Sequence, residues 1–313
     1  MEKISKNKNR KMSAENSDDI LRLLTDQELE ELLHLYAENC GIESFQYLLI
    51  YTQLQWNRKL HQRCIERQNE KWISFRKDFY TDGKGDFRKY GTYICLHQDL
   101  VQSVTFHSWE PNSNELLECL EKTNLIQWRN GALLINIAPQ FSESVKTIVL
   151  KKGGVIRKAR PCQGLVLNRS EALNFNKTRI PEGYELGELE EKHAELIHSL
   201  WANNKEGSLD YIKGHIKINK SIGLYEKSKK ELIGWIFQNE FSGLAILQVI
   251  PSHQRKGFGR ILVESLSTAV AQTESIPVTA WVVVGNIKSE TLLQKVGFKR
   301  AVTYEWIQLQ KLE

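Results

Sequence analysis

No apolar run in the 313-residue sequence approaches the roughly 18 residues that cross a bilayer as a helix, so no membrane span is expected. Cysteine is scarce: the five, at positions 40, 64, 95, 119 and 162, are odd in number, widely spaced and include no Cys-x-x-Cys. That pattern offers neither a disulfide framework nor a zinc site and fits a reducing compartment. Of the eight histidines the closest pair, His193 and His198, would stand about 140° apart around a helix axis, so no metal is expected. Six prolines and nineteen glycines are few, and 41% hydrophobic with 26% charged residues is the composition of a packed protein. A prior of about 150 residues per domain suggests two units.

Basic charge on a folded face is also lacking. Net charge is +5, but Met1–Lys11 holds five Lys/Arg against one Glu, which leaves the rest nearly neutral. Phosphate-backbone binding needs basic side chains gathered on one surface, so no nucleic-acid partner is expected. Residues 1–17 read as a disordered basic leader. Lys3, Lys6, Lys8, Arg10 and Lys11 also fit a transit peptide, although little apolar content accompanies them and Glu15, Asp18 and Asp19 follow. The compartment is expected to be cytoplasmic or mitochondrial, with cytoplasmic slightly favoured.

From Asp18 to Cys40 the apolar residues recur at helical spacing as two helical segments, and Thr25-Asp-Gln-Glu28 is a capping box opening the second. Phe45–Asn57 reads as a helix, Trp72–Phe75 as the start of sheet, and 92–96 and 101–109 as a strand pair. Pro111-Asn-Ser-Asn opens a helix, and 132–137 is a buried strand. Residues 18–150 are thus a mixed α/β domain. Residues 151–178, polar with Gly153, Gly154 and Gly164, read as a linker. The second domain, 179–313, runs strand, helix, short helix and three strands, then a loop, a helix, a strand, a helix and a last strand pair. The fold class is α+β. A strand-turn-strand rhythm shared by the segments starting at Gly91 and Gly223 hints that the halves are related.

The informative stretch is the strand Leu244–Val249 running through Gln254-Arg-Lys-Gly-Phe-Gly259 into a helix. Amides at a loop-to-helix junction point into one concavity, and the helix dipole adds positive potential, so a diphosphate fits there. Gly257 and Gly259 leave room for its oxygens; Arg255 and Lys256 add charge. There is no Gly-x-x-x-x-Gly-Lys-Ser/Thr, and Leu262 stands where a dinucleotide fingerprint needs its third glycine, against nucleotide hydrolysis and hydride transfer. Two glycines opening a helix also suit an ordinary tight turn.

These residues resemble the GNAT superfamily of acyl-CoA-dependent N-acyltransferases, whose signature is Gln/Arg-x-x-Gly-x-Gly/Ala. The downstream strand 277–284 and the segment Asn286–Phe298 match its closing helix and Gly-Phe turn. The whole layout resembles the glycine N-acyltransferase-like family, with a divergent first half that is either GNAT-like itself or a separate mixed α/β unit. The resemblance implies a slot between two splayed parallel strands for acyl-CoA or acetyl-CoA, no metal, and an amine acceptor such as glycine or another amino acid. Its cofactor-binding positions fall on Leu247, Val249, Gln254, Arg255, Lys256, Gly257, Phe258, Gly259, Asn286 and Ser289. Asn286 and Ser289 equally suit a helix cap.

The catalytic residues are unknown, because the positions where family members carry a glutamate base and a tyrosine acid hold Gly243 and Leu293. Glu240, Ser242 and His253 lie nearby, each equally a turn or surface residue. Two alternatives stand beside an enzyme: a catalytically weak or inactive acyl-CoA-binding or interaction protein, and acylation of a protein or polyamine.

Overall fold

The structure is a computed structural model that describes residues 18–66, 77–97, 101–175, 178–204 and 207–312, with backbone only for 60–66. The basic leader and Trp72–Phe75 lie outside them. The first half holds β1 (Leu21–Leu23), α1 (Asp26–Cys40), α2 (Phe45–Glu66), β2 (Asp78–Asp82), α3 (Phe87–Tyr90), β3 (Tyr93–His97), β4 (Ser103–His107), α4 (Asn114–Lys122), β5 (Leu133–Ile137), α5 (Ser142–Lys151) and β6 (Ile156–Leu167). The second holds α6 (Arg169–Leu173), β7 (Tyr184–Gly187), α7 (Ala194–Leu200), α8 (Ser208–Ile218), β8 (Ser221–Glu226), β9 (Glu231–Gln238), β10 (Gly243–Val249), α9 (Phe258–Thr273), β11 (Val278–Val283), α10 (Ile287–Val296) and β12 (Lys299–Leu309).

All twelve strands join one sheet in the order β1-β2-β3-β4-β5-β12-β6-β11-β10-β9-β8-β7. Exchanging each strand with the one six places along, then reading backwards, returns the same order. The two parallel pairs, β4 with β5 and β10 with β11, exchange with each other under this operation. The chain is therefore a tandem of two like units related by a pseudo-two-fold, with β6 and β12 interleaved at the centre.

Helices cover both faces. Leu262, Leu266 and Val270 of α9 and Val296 of α10 pack on Ile233, Ile236, Leu244, Val278 and Ala280, while Ile197 of α7 and Ile212 of α8 cover Leu232, Trp235 and Phe237 on the other side. In the first half α4 and α5 use Leu116, Leu120, Val145 and Val149 on one face, and α1 and α2 use Leu32, Tyr36, Leu49 and Ile50 on the other. Period-3.6 apolar stripes thus close a sheet that is apolar on both sides.

Four expectations change. The segment before Thr25 is not helical: Leu21–Leu23 is an edge strand on β2, while the capping box does open α1, the Glu28 amide donating to Thr25 Oγ1 at 3.2 Å. The stretch 151–178 is not a plain linker, since it contains β6, paired with β12 from Ile156 to Val166 and with β11 from Cys162 to Leu167. The last strand pair is a single strand, β12, which lies between β5 and β6 and pairs with both. The hairpin hint was also one strand out: β3 and β4 correspond to β9 and β10, not to β8 and β9.

Candidate functional site

Parallel pairing of β10 with β11 covers only Gly243↔Thr279 and Leu244↔Ala280; beyond these the strands part. The register against β9 then slips by one residue between Ala245 and Gln248, and Ile246 sits at φ 50°, a left-handed conformation that a β-branched residue adopts only when its surroundings force it. Past the bulge the Ile250 amide donates to Ile233 O of β9 at 2.9 Å. By strand alternation the groups of Val249 and Leu247 then face the opened side. Gln254 Nε2 donates to Val249 O at 2.9 Å. Its amide is thus committed to the strand, and Val249 keeps its N–H for a ligand.

The loop bends through two left-handed residues, Arg255 at φ 61° and Gly257 at φ 82°. Gly257 is the N-cap of α9, has no side-chain cap, and leads a first turn without an acidic residue. The opening amides of the helix are left for an external acceptor. A Cβ on Gly257 would meet nothing within 4 Å, whereas one on Gly259 would lie 3.3 Å from Leu292 Cδ2; Gly259 serves helix packing as well as access. Arg255 and Lys256 are exposed. Phe258 is 2% exposed and its ring meets that of Tyr184 at 4.6 Å, tilted by 58°, so its side chain belongs to the core. Asn286 caps α10, accepting from the Ser289 amide at 3.3 Å.

The absent base has a steric cause. A Cβ at Gly243 would lie 2.7 Å from Thr279 Oγ1 and 2.9 Å from Asn239 Oδ1, so no glutamate fits. Leu293 is buried in the core under α9. The nearby polar residues are occupied: Ser242 Oγ shares a hydrogen bond with Thr52 Oγ1 at 2.9 Å and donates to Glu274 Oε2 at 3.1 Å, and Glu240 faces Lys77 at 3.8 Å. Burial alone would raise the Glu240 carboxyl, but Lys77 and His215 hold it below its ordinary value. His253 meets Ser252 at 3.0 Å, on the loop and beyond the splay. Three residues went unread in the sequence: Arg179, Arg260 and Glu264 line a cleft beside Gly257. The available signal was Arg260, a cation in a first helical turn against the dipole, with Glu264 four residues on.

Residues 20–148 match the family described as Domain of unknown function (DUF5645) and residues 221–307 the FR47-like protein family. A Drosophila protein of known structure is 44% identical, with 94% of this chain and 99% of that one covered and a TM-score of 0.89. A tandem GNAT protein from the clavulanic acid biosynthesis pathway, 9% identical, covers 94% of this chain and 98% of its own at TM-score 0.53. The chain belongs to the family of the Drosophila protein, and its fold is that of the tandem GNAT protein. A GCN5-related glucosamine N-acetyltransferase region of a fungal GH3 β-N-acetylglucosaminidase, 12% identical, shares the fold at TM-score 0.51 over 92% of this chain and 38% of that one. Curated proteins gave no match. The tandem GNAT fold extends to the first half, and no helix among the described residues is long and apolar enough to cross a membrane.

Proposed function

We propose that the chain is an acyl-CoA-dependent N-acyltransferase whose second half binds the thioester and whose acceptor is a small amine, glycine or another amino acid. The supporting observation is the splay of β10 from β11, bulged at Ile246 and ending on the uncapped N-terminus of α9. The pantetheine arm pairs with the outward groups of Leu247 and with the free N–H of Val249, and the diphosphate takes the amides at Gly257–Gly259. An N–H near Val249 faces the thioester carbonyl and stabilises the oxyanion as the amine attacks.

Transfer is direct. Burial lifts the thiols of Cys95 and Cys119 to about 12 and that of Cys162 to about 11, so these cysteines supply no thiolate for a covalent intermediate. With Gly243 and Leu293 in the base and acid positions, the amine loses its proton to water, and the rate rests on backbone electrostatics. The same two residues favour a second reading, a non-catalytic acyl-CoA-binding protein.

Thiol release on mixing the protein, acyl-CoA and a panel of amino acids separates the two. Acceptor-dependent release is expected. If CoA thioesters bind but no acceptor raises release above hydrolysis, the binding-protein reading replaces the enzyme.

A further inference from the structure

The segment joining the halves runs along α9 towards the phosphate loop. Arg169 Nε donates to Ala271 O at 2.9 Å, Thr268 Oγ1 to Ala172 O at 2.9 Å and, farther on, Thr178 Oγ1 to Glu264 Oε2 at 2.8 Å. There Phe175, Thr178 and Arg179 face Gly257, Arg260 and Glu264 across an open cleft of about 460 Å³. This lies within the range of small-molecule pockets, about 300–1,000 Å³, and Gly257 makes the cleft continuous with the loop.

The charges in this cleft are unbalanced. Glu264 is the carboxylate that lines it, 6% exposed, and both its oxygens are engaged, one by Thr178 and the other by Arg260 Nε at 2.6 Å. Among the described residues Arg260 hydrogen-bonds through Nε alone, in its ion pair with Glu264, and Arg179 makes neither a hydrogen bond nor an ion pair. Arg260 is the third residue of α9, where the helix dipole disfavours a cation unless an anion joins it.

We infer that this cleft receives the nucleotide end of coenzyme A and that Arg179 and Arg260 recognise its 3′-phosphate. The inference rests on the acyl-CoA reading above and deepens it. Guanidinium groups bind phosphate through paired charge-assisted hydrogen bonds, and Phe175 offers the adenine an aromatic face. Glu264 is a positioning residue that holds Arg260 by its Nε and leaves the other two nitrogens for the ligand. The segment between the halves is thereby part of the cofactor site, and it distinguishes coenzyme A from its 3′-dephospho form, which the diphosphate loop alone does not.

Calorimetry on the full chain with coenzyme A and 3′-dephospho-coenzyme A tests this. The wild-type chain is expected to prefer coenzyme A by about tenfold or more. Arg179→Ala and Arg260→Gln should bring the two ligands to within about threefold of each other by weakening coenzyme A alone. Arg179 is exposed and carries the comparison if Arg260→Gln does not fold. Equal wild-type affinity for both ligands overturns the inference while the acyl-CoA reading stands, as does a loss in the variants that is the same for both. If neither ligand binds the wild-type chain, the acyl-CoA reading falls and the inference with it.

Discussion

The two parallel strand pairs occupy equivalent places in the sheet and have been finished in opposite ways. In the second half, β10 parts from β11 and leads through Gln254–Gly257 to a helix whose N-terminus no side chain among the described residues caps. In the first, β4 parts from β5 after Val104↔Leu134 and leads to α4. There the Glu110 carboxylate accepts from the Glu115 amide at 2.8 Å, so a side-chain anion stands where the other half leaves room for a phosphate. Trp109 takes the place of Ile250, its amide donating to Tyr90 O at 3.0 Å as that of Ile250 does to Ile233 O, and its ring fills the space that a Cβ on Gly91 would need, 2.0 Å away. Between the parted strands, Tyr93, Thr105, Phe106 and Asn136 leave a cavity of about 10 Å³, room for about one water. One copy of the fold is open to a ligand and the other is closed by its own residues. A single coenzyme A per chain is the expected stoichiometry.

The largest effect expected from this pairing is in acid. Each half keeps a histidine from protonating: burial takes His107 of β4 and His215 of α8 from 6.5 down to about 4. Both bind a proton more readily unfolded than folded, so stability is full above about pH 6.5 and declines towards pH 4, by about 3 kcal/mol per histidine. Urea unfolding at pH 7 and 4.5 should show this as one transition. Two separated transitions would break the view that the halves are one unit.

Next in size, Gly257→Asp puts a carboxylate at the open loop and a side chain in a left-handed conformation, imitating Glu110. Coenzyme A affinity should fall about 100-fold and calorimetry should find no residual second site. Half the binding capacity remaining would mean that the first half also binds. Glu110→Ala removes the built-in anion from α4 and should lower the melting free energy by about 1 kcal/mol with no change in coenzyme A affinity. Asn286→Ala should have the smallest effect, at most about 1 kcal/mol of stability. A drop in coenzyme A affinity there would assign Asn286 to the ligand.

How much was legible follows from how local each signal is. The loop and α9 could be read because glycine, cation and helix period sit within twenty residues, and the capping box at Thr25 is local too. β6 could not. It carries Pro161, which lacks a ladder donor, and Gly164, which reads as loop. In the fold, Gly164 is bare because a Cβ would lie 2.7 Å from Phe45 and 3.0 Å from Trp281. Its strand partners begin at Val278 and Lys299, far beyond any window of periodicity. The cleft at Arg179 was hidden for the same reason, since Thr178 and Glu264 meet only through tertiary packing. The vacant acid and base positions were visible at once, but only the contacts around Gly243 show that the vacancy is imposed by packing.

The interleaving of β6 and β12 also bears on how the molecule is made. β5 finds its second neighbour in a strand beginning at Lys299, with Ile137 opposite Glu305. The early sheet therefore carries a bare ladder edge throughout synthesis of everything between. Closing so distant a pairing is slow, and an unpaired edge invites other chains. Maturation of the first copy waits on translation of the second, and a nascent chain stalled before Lys299 would be a substrate for chaperones rather than a smaller working protein.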